Sequence, residues 1–426
     1  MFKFRAHNPN AETGAAIPTT PVAPDTARRH LTVLALACAG IFGVTAAAYA
    51  QSAEPLQIGI LNDMSGPFAD LSGPGSVVSA KLAIADFGGK VLGRPIVLLE
   101  ADHLNKPDTG LTIARKWYDS GVRAIFDIGI TTVAIGVQDL AREKNRLVVF
   151  TSSASSDLTG VKCSPNGIHW TYNSYVQSLG VAKAVLAQGG KSWYFITIDY
   201  TYGKNVQRDT TQILEANGGK VVGSTLHALN STEFSSQLLQ AQASKADVIA
   251  LATTTSHAAA AIKQAAEFGI RGKQILAPLS LTLHDVKALG LQAAQDLPVS
   301  VPYYWDQNDA TRKFAYRYKD KFGKMPNMAQ ASVYGAVTHY LNAVAAVGSD
   351  DTAKVIAKMK ATPINDFMTR NGSIREDGRV LRDYYVFRVK KPSESKGEWD
   401  LLAQTMTIPA AEAFPPADKL ACSLVK

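Results

Sequence analysis

From residue 55 onward, short apolar runs alternate with stretches whose apolar positions recur every three to four residues. Runs at 56–61, 96–100, 124–128 and 147–150 are rich in Ile, Val, Leu and Phe and have the length of strands. Helical periodicity fills the spaces between them, at about 75–87, 108–119 and 133–144. The alternation then restarts with a helix at 175–186. Strands are expected at 193–198, 220–226, 248–252 and 274–277, with helices at 203–216, 232–243 and 258–268 between them. Asn230-Ser231 is the expected cap of the 232–243 helix, and Gly269 the stop of the 258–268 helix. Strands that are each followed by a helix form βαβ units around a parallel sheet. The pattern therefore predicts an α/β fold of two doubly wound blocks, about 55–170 and 174–300.

The remainder reads differently. A strand at 299–305 is followed by helices at about 310–322, 328–346 and 351–360. Residues 374–389 read as a hairpin around Asp377-Gly378. These elements are too few for a third domain and are expected to complete the first two. The chain then crosses between lobes more than once, as a multi-stranded hinge requires. One lobe is assigned 55–172 plus 304–375, the other 173–303 plus 376–426.

The first fifty residues stand apart. Arg28-Arg29-His30 precedes an unbroken small and apolar run from Leu31 to Ala48, and Ala48-Tyr49-Ala50 has the small-x-small pattern of a signal-peptidase site. The reading is an export signal cleaved after Ala50, with delivery to the periplasm; the alternative is a single transmembrane tether. Cys38 lies inside the apolar run, which does not suit a lipoprotein site. The 376 residues that follow Ala50 suffice for two domains with their own cores. A net charge of +8, spread along the chain, is too mild and dispersed to indicate nucleic-acid binding. Cys163 and Cys422 are the two cysteines beyond the signal, and an oxidising compartment favours one disulfide between them over two free thiols.

Ligands of parallel sheets sit at the carboxyl ends of the strands. The loops there are 62–67, 129–132 and 151–155 in the first block, and 199–203, 253–256 and 278–280 in the second. They are rich in hydroxyls, small residues and tyrosine, and several precede a helix, where backbone N–H groups suit a carboxylate. Helix capping accounts for some of these Ser and Thr residues but not for their recurrence at the same end of both sheets. Signs of covalent chemistry are sparse. Gly73-Pro74-Gly75 lacks the third glycine of a dinucleotide loop and reads as a helix start; Gly190-Lys191-Ser192 precedes a strand and reads as a turn. His103, His169, His227, His257, His284 and His339 include no pair at metal-ligand spacing, and no metal is expected. No Gly-x-Ser-x-Gly elbow occurs. Asp63 and Asp199 are read as turn-stabilising, and Tyr303-Tyr304-Trp305 as hinge or core packing.

Taken in order, Ile58-Gly59-Ile60, Met64-Ser65-Gly66-Pro67, Lys263-Gln264-Ala265, Glu267-Phe268-Gly269-Ile270, Tyr334 and Asp377-Gly378-Arg379 resemble the type I periplasmic binding proteins, in their Leu/Ile/Val-binding branch. The resemblance covers about 55–426. It implies two lobes that close on a small-molecule ligand, no catalysis and no cofactor. It also implies a monomer that delivers its ligand to the permease and ATPase subunits of an ABC importer. Matched position by position, it places the pocket at Ser65, Ile130, Thr131, Thr132, Ser152 and Ser153 in one lobe and at Tyr202, Thr254 and Leu279 in the other. Amino-acid binders of the family hold the ligand's ammonium with an acidic residue where this chain has Leu279, and a buried ammonium without a carboxylate is costly. The ligand is therefore expected to lack an α-amino group. Lys116-Trp117-Tyr118-Asp119, Cys163-Ser164-Pro165-Asn166 and the stretch 234–244 are similar to a subgroup associated with aromatic acids. That likeness implies an aromatic carboxylate, with the ring packed by Tyr200 and Tyr202, and agrees with a Cys163–Cys422 bridge. The rival readings are a branched-chain amino acid binder, a ligand-sensing receptor module and an exported hydrolase.

Overall fold

The computed structural model describes residues 54–270 and 272–425; the proposed signal and its cleavage site lie outside them. Fifteen strands follow in chain order: β1 (Leu56–Asn62), β2 (Lys90–Val91), β3 (Arg94–Asp102), β4 (Ala124–Asp127), β5 (Leu147–Phe150), β6 (Gly167–His169), β7 (Ser192–Ile198), β8 (Lys220–His227), β9 (Val248–Ala252), β10 (Ile275–Pro278), β11 (Pro298–Val301), β12 (Ser373–Ile374), β13 (Val380–Leu381), β14 (Tyr384–Val389) and β15 (Leu402–Ile408).

The first sheet has the order β2-β3-β1-β4-β5-β6, parallel except for the short β2. The second has the order β10-β9-β7-β8 and is parallel throughout. In each sheet the chain steps from its first long strand to one side and then returns to the other. β1 therefore lies between β3 and β4, and β7 between β8 and β9. These are the two points of reversal, where the loops after neighbouring strands splay apart and leave a crevice.

Alternation explains why both faces of the first sheet are covered. Ile58, Ile60, Ala124, Phe126 and Val149 point to one side, against Val77 and Ala80 of the helix Gly73–Asp86 and Val333, Val337 and Leu341 of the helix Met328–Val347. Leu61, Ile125, Val148 and Phe150 point to the other, against Ala114, Val133, Val137 and Leu140. The late helix Met328–Val347 thus covers one face of the first sheet. The core around the second sheet is continuous with Tyr303, Tyr304, Trp305, Phe314 and Tyr318. The Tyr303–Trp305 cluster is packed rather than displayed: the Tyr304 hydroxyl and Trp305 indole N–H both donate to the Trp399 carbonyl, at 3.0 and 2.8 Å.

Three of the expected elements take a different form. The helix expected at 232–243 begins at Ser235, because the Glu233 carboxylate accepts from the N–H groups of Phe234 and Ser235, both at 3.0 Å; Asn230-Ser231 lies in the preceding turn and does not cap it. The strand expected at 299–305 stops at Val301, where the chain leaves the sheet to bury its aromatic residues. The 374–389 hairpin is divided. β12 and β13 pair around Asp377-Gly378, but β14 pairs with β11 and with β15, a strand whose pattern the sequence reading missed. Gly378 takes φ +86° at this turn, and a Cβ there would meet the Gly167 carbonyl at 2.2 Å.

Cys163 and Cys422 are bonded, with Cα atoms 5.6 Å apart and both side chains buried. The bond ties the end of the chain to the loop before β6, across a sequence separation of 259. In the chain-entropy account a loop of that size is worth about 5 kcal/mol. Cys163→Ser should therefore unfold at markedly lower urea than the wild type, and lose the sensitivity to dithiothreitol that the wild type shows in the same titration.

Candidate functional site

The loops after the strands at both reversal points converge on one cavity of about 40 Å³. The loop after β4 supplies Gly129, Ile130 and Thr131, and the loop after β5 supplies Ser152 and Ala154. Opposite them, the turn after β7 supplies Tyr200 and Tyr202, the turn after β9 supplies Thr254, and the segment after β10 supplies Ser280 and Thr282. Tyr172 and Gln177 close the side at the crossing between blocks, and Phe68, Leu71 and Met328 close the rim. Every residue named is neutral.

The first-block loop is delivered by an unusual backbone. Asp127 and Ile128 both have positive φ, +85° and +56°, a conformation that a β-branched residue adopts only under constraint. The constraint is visible. The buried Asp127 carboxylate accepts from Asn62 Nδ2 at 2.7 Å and from Thr151 Oγ1 at 2.8 Å, joining the ends of β1, β4 and β5. On the other side Ser280 Oγ donates to the Thr253 carbonyl at 2.7 Å, and Thr253 Oγ1 meets His227 Nε2 at 2.8 Å.

Three helices start at the cavity: Thr131–Glu143, Thr201–Ala216 and Thr255–Glu267. Their cap positions hold Ile130, Tyr200 and Thr254, and none makes a side-chain cap bond. Thr254 could do so, but its hydroxyl turns to His257 Nδ1 at 2.6 Å. No cap side chain therefore takes the leading N–H groups, and the positive ends of the helix dipoles lie at the cavity; the Thr131 N–H is met by the Tyr200 hydroxyl. Ser152 Oγ and Gln177 Oε1 are buried and lack a partner. The phenols of Tyr172, Tyr200 and Tyr202 are held above their ordinary range, chiefly by burial, so they remain hydrogen-bond donors. Tyr172 donates to the Ser152 carbonyl at 2.7 Å. A group suited to this enclosure is small, accepts several hydrogen bonds and carries negative charge.

Six of the residues picked out from sequence come together here: Ile130, Thr131, Ser152, Tyr200, Tyr202 and Thr254. Four do not. Thr132 lies just outside, in a groove of about 390 Å³. Ser65 is exposed and donates to the Asp102 carboxylate at 2.7 Å. Ser153 points away and donates to the Ile128 carbonyl. Leu279 is buried in the core of the second block and does not line the cavity. Phe68, Tyr172, Gln177 and Met328 were missed; they come from a rim loop, the crossing segment and a late helix, and no strand-end signal marks them. Of the two acids read as turn-formers, Asp63 accepts from the N–H groups of Gly66 and Phe68 at 2.7 and 2.8 Å, whereas Asp199 is half exposed and pairs with Lys204.

Asp285, three residues beyond Thr282, is buried but does not line the cavity. Its carboxylate accepts from the N–H of Thr282 at 2.7 Å and from its hydroxyl at 2.6 Å. Burial outweighs these bonds and pushes the carboxyl up to about 6. The folded chain then binds this proton more tightly than the unfolded chain does, so its contribution to stability is present at low pH and is lost as pH rises from about 4 to about 6. Urea titrations across that window should show a fall in stability with pH that is shallower in Asp285→Asn, whose amide oxygen preserves the bond from Thr282.

Comparison with known proteins follows the same lines. The periplasmic binding protein family profile matches residues 55–398. A crystal structure of a periplasmic binding protein from Burkholderia mallei superposes with a TM-score of 0.85 at 42% identity, covering 87% of this chain and 99% of that one. A protein from Burkholderia xenovorans LB400, described as a branched chain amino acid ABC transporter periplasmic ligand-binding protein, gives 0.81 at 39% identity, covering 87% and 100%. An ABC-transporter solute-binding protein from R. palustris, in complex with benzoate, gives 0.76 at 20% identity over 87% and 100%, a likeness of fold.

Proposed function

The chain belongs to the periplasmic binding protein family and has its type I fold, and from that premise we propose that it captures an aromatic carboxylate for an ABC importer. Its relatives are ligand-binding components of ABC transporters rather than enzymes. The observation that carries the ligand class is the convergence of three uncapped helix starts, with the unpartnered Ser152 hydroxyl, on a cavity walled by aromatic and neutral side chains. A carboxylate supplies the acceptor that the cap side chains do not and gains from all three dipoles. The rings of Phe68, Tyr172, Tyr200 and Tyr202 offer an apolar, polarisable wall.

The description of the B. xenovorans protein favours a second reading, a branched-chain amino acid. That ligand carries an ammonium as well as a carboxylate. No acidic side chain lines the cavity, and burying an unpaired ammonium costs several kcal/mol.

Capture works by closure of one lobe, 55–172 plus 304–375, on the other, 173–303 plus 376–426. Contacts from both lobes exist together only when they are closed, so the ligand stabilises that state by its differential affinity. Loaded protein would then engage the permease and its ATPases as a monomer, after export to the periplasm directed by the segment ending at Ala50. No helix among the described residues is long and apolar enough to cross a membrane.

Calorimetry of the purified protein with benzoate, 4-hydroxybenzoate, 3-phenylpropanoate and leucine tests the assignment. At least one aromatic acid should bind and leucine should not. Ser152→Ala should weaken that binding about tenfold, the loss of one hydrogen bond to a charged group. Binding of leucine in preference to every aromatic acid would refute the ligand class.

A further inference from the structure

The inner cavity, at about 40 Å³, is smaller than the roughly 150 Å³ that admits a benzene ring. The groove outside it is about 390 Å³. Three residues, Phe68, Ile130 and Tyr200, line both. They form a wall one side chain thick between two compartments of a single cleft.

The members of that wall are not equally fixed. Ile130 is held in the buried core beside the first sheet, directly after the strained Asp127–Ile128 turn. Tyr200 is half-buried and reaches across from the opposite block, and its hydroxyl is met by one residue, Thr131, through Oγ1 at 3.5 Å and through the backbone N–H. The hydroxyl pair at that separation is a weak bond, and both contacts are to one residue, so turning the Tyr200 side chain gives up polar contacts with Thr131 alone. Beyond it the groove is largely apolar, with Leu229 and Ala260 on its walls, and Asn105 Oδ1 is a buried acceptor there without a partner.

Resting on the aromatic-acid reading, we propose that Tyr200 is a movable partition and the chief determinant of ligand length. The carboxylate occupies the inner cavity at the helix starts. The aryl group displaces the Tyr200 ring and extends past Phe68 and Ile130 into the outer groove. The preferred ligand is then an aryl acid longer than benzoate, with its ring set off from the carboxylate by a short chain. A donor group on the far side of that ring would meet Asn105.

Calorimetric titration of the wild type, Tyr200→Phe and Tyr200→Ala with benzoate, 3-phenylpropanoate and 4-phenylbutanoate decides this. In the wild type, affinity should rise about fourfold for each methylene that becomes buried. Tyr200→Phe, which keeps the ring and loses the hydroxyl, should preserve the wild-type order of the three acids even if its affinity for all of them falls by a common factor. Tyr200→Ala should bind the two longer acids several-fold more tightly, while its gain for benzoate is smaller. Benzoate binding as tightly as the longer acids, or Tyr200→Ala weakening all three by one common factor, would overturn the partition while leaving the aromatic-acid reading intact. Failure of every aromatic acid in all three proteins, with leucine bound, would overturn both.

Discussion

The buried carboxylate of Asp127 is the interaction on which the site depends. It stands where β4 ends, and its two oxygens take one hydrogen bond from β1 through Asn62 and one from the segment after β5 through Thr151. Those bonds hold two consecutive residues in left-handed backbone, one of them an isoleucine. Such conformations cost about 1–3 kcal/mol each and persist where surrounding structure leaves no alternative. The return is geometric. The left-handed pair turns the chain so that Gly129–Thr131 reach the crevice and the following helix starts there.

The facing block reaches the same result by other means. His227, Thr253 and Ser280 link the ends of β8, β9 and β10, leaving Tyr200, Tyr202 and Thr254 to face the cavity. The two blocks also meet outside it. Asn205 and Arg208, on the helix that Tyr200 opens, bond to Asp157 at 3.0 and 3.1 Å, just beyond the loop that carries Ser152. His284 lies between the carbonyls of Asp70 and Met325, at 2.8 and 2.7 Å. Contacts of this kind set the spacing of the cavity walls, so the cavity's small volume follows from how the blocks meet rather than from either alone.

The polarity of the site follows from the fold. Two parallel sheets aim their strand ends, and hence the starts of the next helices, at one point. Three such starts without side-chain acceptors amount to a positive potential built from peptide groups alone. No lysine or arginine is needed, which is why an anion site can exist in a cavity whose lining residues are all neutral.

The spacing of apolar runs was sufficient to predict the parallel α/β architecture, because strand and helix periods are local and both sheet faces are buried. It also marked the strand-end loops that hold six cavity residues, while the resemblance to the binding-protein family picked out most of those residues individually. The antiparallel sheet of β11, β14 and β15 escaped it: β15 has exposed Gln404 and Thr405 within its span, and β14 pairs on its other side with β11, far back in sequence. Ser153 and Leu279 have neighbours in sequence that line the cavity, yet point into the protein. Along a strand end, one residue's difference reverses the side chain's direction, and only tertiary packing sets the register. Phe68, Gln177 and Met328 join the site from distant segments for the same reason. Local sequence dictated which elements form and at which ends chemistry gathers; the packing of one block on the other decided which side chains meet.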